Sequence, residues 1–108
     1  MQSNQAEITQ QSEQKYLVAG IVNFSTVPDL MNRVNAIFAS LSAAESTNLI
    51  IDFSQITECN SAALAWRLES VEKASLKNIV LKFENLPATL LSIAKAYGVE
   101  EEIKRLVI

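Results

Sequence analysis

The sequence predicts a single α/β domain, a mixed and mostly parallel β-sheet of four to five strands with helices packed against it. Apolar, β-branched runs typical of strands alternate along the chain with apolar residues spaced three and four apart, as in helices. This strand-helix-strand order implies right-handed crossovers between parallel strands. A length of 108 residues, of which 49% are hydrophobic, allows one core and therefore one domain.

The N-terminal part of the chain contains one uncertain segment and one clear strand. Residues 1–14 are rich in Gln, Ser and Asn, so we expect either a partly disordered segment or an edge strand around Ile8. The domain proper then covers 15–108. Residues 16–22 are apolar and β-branched enough for a strand, in which Gly20 marks a bulge or a close backbone approach.

A helix and a buried strand follow. Thr26 is a candidate N-cap, and Pro28 fits the first helical turn because its missing N–H costs little there. The apolar spacing predicts that this helix runs to about Leu41. Residues 42–48 are the expected linker to a buried strand over 49–53.

The second half of the chain repeats this alternation after a short polar crossing at 54–58. We predict a helix at 61–75, a strand at 78–83, a second helix at 87–97, and a last helical turn within 100–108. Gly98 is placed to close the second of these helices at its C′ position.

Composition excludes several classes of function. The chain has no His and a single Cys, Cys59, so metal-dependent or hydrolytic catalysis, a zinc cluster and an internal disulfide are not expected. A net charge of -3 without a basic stripe argues against nucleic-acid binding. No signal peptide or membrane-spanning run is recognisable. We therefore expect a cytoplasmic protein that is not an enzyme, needs no cofactor or metal, and does not insert into membranes.

The start of the helix at 61–75 is the most informative segment. Asn60 is a cap-type residue, Ser61 places a hydroxyl in the first turn, and Ala62 and Ala63 leave the helix start uncrowded. A polar helix start with small side chains allows another molecule to approach closely. Ser61 either satisfies a backbone N–H or serves as a contact point or phosphoacceptor.

The faces of this helix suggest a partner-binding surface. At 100° per residue, one side is predicted to face the core and carries Leu64, Leu68, Val71 and Ser75. The opposite side carries Ala62, Trp66, Glu69 and Lys73. A solvent-facing Trp66 would be an interface anchor, although it could also fold back over a neighbouring loop.

Other polar residues have simpler interpretations. Cys59 is expected to act as a small hydrophobic residue, because no basic neighbour lowers its pKa. Asp52 ends the buried strand and is expected to cap a loop, with ligand binding beside Ser61 as the alternative. Arg67 and Arg33 are expected on solvated faces.

These residues resemble those of a STAS domain. The resemblance covers about residues 15–98 and rests on Val27-Pro28-Asp29-Leu30, on Ile50-Ile51-Asp52-Phe53-Ser54, and on Cys59-Asn60-Ser61-Ala62-Ala63-Leu64-Ala65. Within the family, Leu64-Ala65 and the run Leu91 to Val99 are similar to the MlaB-like group, the small cytoplasmic subunits of Mla-type phospholipid ABC transporters.

The resemblance implies a non-catalytic subunit that binds the ATPase subunit of such a transporter, within a complex with a permease and peripheral to the inner membrane. The predicted partner-binding residues are Asn60, Ser61, Ala62, Ala65, Trp66 and Glu69. The alternative is an anti-sigma-factor antagonist regulated by phosphorylation of Ser61, which takes the position of the signature hydroxyl. Asn60 and Ala63 replace the usual Asp and Gly of that signature, which favours a docking face over a phosphorylation switch.

Overall fold

The computed structural model describes residues 5–41, 47–105 and 107, and within them the chain forms four strands and four helices. The strands are β1 (Ala6–Ser12), β2 (Lys15–Val22), β3 (Thr47–Cys59) and β4 (Ile79–Glu84). The helices are α1 (Val27–Ala39), α2 (Ser61–Ser75), α3 (Ala88–Ala96) and α4 (Glu100–Lys104). Residues 42–46 of the predicted linker lie outside the described residues.

The four strands form one mixed sheet in the order β1-β2-β3-β4. β1 is antiparallel to β2, whereas β2, β3 and β4 are parallel. Two successive crossovers in the same direction, right-handed as is general for such units, place α1 and α2 on the same face of the sheet, where they contact each other. Accordingly, Leu81 and Phe83 of β4 are buried, while the alternating Val80 and Lys82 are exposed. The predicted fold class is confirmed.

Strand β3 is longer than predicted. The predicted polar crossing, residues 54–58, is extended and paired with β2, with Gln55 opposite Ala19 and Glu58 opposite Ile21. The pairing of β3 with β4 ends earlier, at Asp52. The second half of β3, residues 54–58, has no β4 neighbour, and most of its polar side chains are exposed to solvent. Their polarity is therefore compatible with a strand, and the prediction of a crossing was wrong.

The core lies between the sheet and the helices. Phe53 of β3 stacks on Trp66 of α2, with ring centroids 5.7 Å apart, and meets Phe83 of β4 edge-on at 5.4 Å. Ile103 of α4 is fully buried, so even this short helix is fixed by the core. Among the described residues, no helix is long and apolar enough to cross a membrane.

The ends of two helices test specific sequence predictions. Thr26 precedes α1, but its side chain does not cap the helix. Its hydroxyl instead donates to the carbonyl of Ile21 at 2.9 Å and accepts the N–H of Asn23 at 2.9 Å. α1 ends at Ala39, two residues before the predicted end. Gly98 follows the C-cap of α3 with φ of 76°, as predicted for a C′ glycine.

Gly20 combines a positive φ of 100° with a close backbone approach, and the β2–β3 register shifts directly after it. A Cβ at this position would clash with the carbonyl oxygen of Gln5 and lie 3.1 Å from Cα of Ala6. We expect Gly20→Ala to lower the free energy of unfolding by about 3 kcal/mol or more, because both groups it meets are backbone. Urea unfolding followed by circular dichroism measures this change.

Gly98→Ala is the matched control for this prediction. Gly98 also has a positive φ, but a Cβ there would meet nothing within 4 Å. The left-handed conformation alone should cost about 1–2 kcal/mol. Equal losses for the two variants would contradict the steric account of Gly20.

Candidate functional site

The start of α2 lies at the edge of the sheet where β2 and β3 end. Cys59, the last residue of β3, pairs with Val22, the last residue of β2, and the N–H of Asn60 donates to the carbonyl of Val22 at 3.3 Å. The side chain of Asn60 accepts the N–H of Ala62 at 2.8 Å. Asn60 therefore caps α2, as the sequence predicts, and ties the helix start to the sheet.

Ser61 is half-buried at the first position of α2. The capping bond of Asn60 already satisfies the N–H of Ala62, so the Ser61 hydroxyl is not needed for that purpose. Within the described part of the chain, no side-chain or backbone group forms a hydrogen bond with this hydroxyl. Of the two interpretations of Ser61, a contact with another molecule is the one that the geometry leaves available.

The loop between β2 and α1 lies beside this helix start and is held rigidly. The side chain of Asn23 accepts the N–H groups of Ser25 and Thr26, at 2.9 and 3.2 Å. Phe24, at the tip, is 70% exposed. Asn23 and Asn60 line the same shallow cavity of about 200 Å³. The loop thus carries an exposed aromatic side chain directly after Asn23, which lies beside the start of α2, and the sequence did not predict this feature.

Two of the predicted contact residues are not on the surface. Trp66 is 1% exposed and Ala62 is 2% exposed, so neither side chain is available to a partner. Trp66 instead stacks on Phe53 in the core. Leu68, which was predicted to face the core, is 39% exposed. Leu64 is buried as predicted, but the buried face of α2 is rotated by roughly a third of a turn from the predicted one.

The error arises because α2 is packed on more than one side. It contacts α1, α3 and β4, whereas the prediction was based on one buried face and one solvated face. The residues facing the interior include the small or polar residues Ala63, Ser70 and Ala74. Apolar periodicity alone cannot orient a helix that is buried by neighbours on several sides.

The structure leaves a defined surface around the start of α2. Asn60, Ala65 and Glu69 are exposed, as predicted, and Leu68 continues the same helical stripe. We call this area, together with Ser61 and the adjacent loop, the docking surface. It consists of Phe24, Asn60, Ser61, Ala65, Leu68 and Glu69. The surface offers two large apolar side chains, a small one at Ala65, a carboxylate, and a hydroxyl that has no hydrogen-bond partner in the described part of the chain.

Arg67 was expected in solvent but is only 1% exposed. Its Nη2 donates to the carbonyl of Ile103 at 2.6 Å, and its Cζ lies 4.5 Å from the centre of the Phe83 ring. Burial lowers the pKa of Arg67 to about 10, so it remains charged at neutral pH. Its role is to hold α4 against α2, which removes it from the docking surface.

Asp52 and Cys59 do not form a reactive site with Ser61. Asp52 accepts the N–H of Ser54 at 2.8 Å and the side-chain amide of Asn85 at 3.0 Å. Its role is structural, as predicted, but Ser54 lies within β3, so Asp52 does not end the strand or cap a loop after it. Burial favours a higher pKa for Asp52, but these hydrogen bonds and nearby charges bring the pKa below its ordinary value. Asp52 and Cys59 are seven positions apart along extended β3, a distance of about 20 Å or more.

This separation makes a ligand site shared by Asp52 and Ser61 untenable. Cys59 is half-buried, and burial raises the pKa of its thiol, so the reactive thiolate is disfavoured at neutral pH. Cys59 thus fits the predicted role of a small hydrophobic residue packed against the core.

No protein-family model and no curated protein sequence matches this chain. A chain of the Acinetobacter MlaFEDB complex in its ATP-bound conformation is similar, with 25% identity and a TM-score of 0.67 over 84% of this chain and 92% of that chain.

Two anti-sigma factor antagonists share the fold at lower identity. The one from Mycobacterium paratuberculosis has 16% identity and a TM-score of 0.66, over 90% of this chain and 80% of that chain. Unphosphorylated SpoIIAA has 12% identity and a TM-score of 0.60, over 95% of this chain and 85% of that chain. These likenesses confirm the predicted STAS fold and the resemblance to the MlaB-like group.

Proposed function

We propose that this chain is a non-catalytic subunit of a phospholipid-transporting ABC complex of the Mla type, and that it binds the ATPase subunit through the docking surface. The observation that carries the proposal is the similarity to a chain of the MlaFEDB complex. The two chains are 25% identical, and the match covers 92% of the chain from that complex. The two anti-sigma factor antagonists share only 16% and 12% of their residues with it.

The physical character of the docking surface supports a permanent protein contact. Phe24 and Leu68 supply exposed apolar area, while Ala65 leaves the helix backbone open to close approach. The Asn60 cap and the hydrogen-bonded loop at Asn23 hold these groups in place before binding, so little conformational entropy is lost on association. An aromatic side chain on a rigid loop is a typical interface anchor.

The proposed subunit acts by binding and stabilising the ATPase rather than by chemistry of its own. No His is available to activate the Ser61 hydroxyl, and the Cys59 thiol is held protonated. The proposal places the chain in the cytoplasm, peripheral to the inner membrane, because an ABC ATPase works on that side.

A second candidate function is that of an anti-sigma-factor antagonist with Ser61 as phosphoacceptor. The half-buried hydroxyl, which has no hydrogen-bond partner among the described residues, favours it, and a phosphate at the N-terminus of α2 would be stabilised by the helix dipole. Asn60 and Ala63, which replace the Asp and Gly of the signature, weaken this alternative.

Co-purification with the two classes of partner separates the candidates. The tagged chain is co-expressed either with the Mla-type ATPase subunit of its organism or with an anti-sigma kinase, and intact mass spectrometry reports phosphorylation. We expect retention of the ATPase at a fixed stoichiometry and no added phosphate. A phosphorylated Ser61 together with no retained ATPase would reject the proposal in favour of the second function.

A further inference from the structure

The outer edge of β1 has hydrogen-bonding groups that the sheet does not use. The N–H of Ile21 donates to the carbonyl of Gln5 at 3.2 Å, which sets the alternation of the antiparallel β1–β2 ladder. Glu7 and Thr9 therefore exchange bonds with β2, whereas Ala6, Ile8 and Gln10 direct their N–H and C=O groups away from the sheet. No described residue pairs with these outward groups.

The two edges of the sheet differ in protection. Beside β4, Val107 forms a parallel bridge to Phe83 and covers part of that edge. β1 contains neither Lys nor Pro, its single charge is Glu7, and its pairing is irregular only between Gln10 and Ser12. Natural proteins usually protect a seven-residue edge strand with one of these devices. In β1 only Glu7 and the irregular pairing after Gln10 act in this way, so the outward groups of Ala6, Ile8 and Gln10 remain open to pairing with another strand.

We propose that the chain forms a dimer in which β1 pairs antiparallel with β1 of a second copy, around a two-fold axis at Ile8. This register places Ala6 opposite Gln10 of the second copy and Ile8 opposite Ile8. All three outward-directed residues then exchange hydrogen bonds with outward-directed residues. A shift of the axis by half a residue would pair outward groups with inward ones. An axis at Glu7 or Thr9 would leave one of the three outward residues without an outward partner among them, so only an axis at Ile8 uses all three.

The side chains fit the same register, which favours a second copy over an unrelated strand. Ala6 and Ile8 are half-buried and pack against the core, so contact between the two Ile8 side chains extends an apolar surface that already exists. On the opposite face, exposed Glu7 lies across from exposed Thr9 of the second copy. No like charges meet directly, and the Thr9 hydroxyl is able to donate to the Glu7 carboxylate.

The symmetry has a consequence for partner binding. A two-fold axis perpendicular to the sheet reverses the strand direction between copies and keeps the helices of both on one face. The four strands of each copy then form one continuous sheet of eight strands. Because the strand direction is reversed between copies, the two docking surfaces lie at opposite edges of this sheet. Dimerisation through β1 leaves both surfaces free, so the dimer is independent of the proposed function.

Sedimentation velocity across a concentration series up to the millimolar range tests the proposal. We expect the wild-type mass to double with concentration, and Gln10→Pro to remain monomeric, because it removes an outward N–H without touching the β2 ladder. Gln10→Ala keeps that N–H and should dimerise as the wild type does. A wild-type chain that stays monomeric throughout, or a Gln10→Pro variant that dimerises unchanged, overturns the proposal.

Substitutions at Thr9 test the register without removing backbone groups. Thr9→Lys places a cation opposite Glu7 in both halves of the dimer, and we expect about fivefold tighter association, whereas Thr9→Glu should weaken it about fivefold. Both variants keep an exposed position polar, so the monomer fold should be unaffected. If the two substitutions shift the dissociation constant in the same direction, the proposed register is wrong.

Discussion

Replacement of Trp66 by alanine is expected to lower the free energy of unfolding by about 3–5 kcal/mol, the usual cost of deleting a fully buried aromatic side chain. Trp66 is 1% exposed and stacks on Phe53 with an angle of 11° between the ring planes. Its removal leaves a cavity at the centre of the α2–sheet contact. Urea unfolding monitored by circular dichroism measures the loss.

Leu68→Ala is the control for this prediction, because Leu68 lies on the same helix but is 39% exposed. It should cost about 1 kcal/mol or less. Weak ATPase binding by Trp66→Ala would then reflect loss of the folded domain and not loss of an anchor. If Trp66→Ala unfolds at the same urea concentration as the wild type, the core assignment of Trp66 is incorrect.

Phe24→Ala is expected to weaken binding to the ATPase subunit by about tenfold or more while leaving stability within about 0.5 kcal/mol of the wild type. Phe24 is 70% exposed, so truncation removes little buried area in the free chain. The loop that carries it is held by Asn23, whose hydrogen bonds do not involve the aromatic ring. Biolayer interferometry with the immobilised ATPase subunit gives the dissociation constants.

Leu76→Ala is the matched control for Phe24→Ala. Leu76 is the C-cap residue of α2 and is 81% exposed, at the opposite end of the helix from the docking surface. It should bind the ATPase as the wild type does. Equal losses of affinity for both variants would show that exposed apolar area in general, and not the docking surface, determines binding.

The fold was predictable because local and long-range signals agree. The β-branched run at 16–22 and the buried strand at 49–53 each fall within an observed strand, and Gly98 ends α3 as expected. The extent of β3 was not predictable from its composition. Its outer half pairs only with β2, so the polar residues Gln55 and Glu58 there resemble those of a loop.

The candidate site was only partly predictable. The Asn60 cap follows from local chemistry, since an Asn before a run of small residues has few alternatives. The burial of Trp66 and Arg67 depends on three neighbouring elements, and a single-helix pattern contains no information about them. The sequence also does not indicate what surrounds Arg67, because the groups it contacts are the Phe83 ring and a main-chain carbonyl and not a carboxylate.

Phe24 carried a signal that could have been used. It is an isolated aromatic residue in the polar stretch Asn23 to Thr26, directly after a predicted strand. Asn and Thr at such spacing favour an Asx-type turn, and a turn that connects a strand to a helix projects its tip into solvent. An apolar side chain at that tip is therefore a candidate contact residue even without a structure.

Site-specific photo-crosslinking tests the central claim, ATPase binding through the start of α2, most directly. A photoreactive amino acid is placed at Ala65, which is exposed on the docking surface, and separately at Leu76, which is exposed at the far end of α2. After irradiation of cells that co-express the complex, we predict a covalent product with the ATPase subunit from position 65 and none from position 76. A product from position 76 alone would contradict the account.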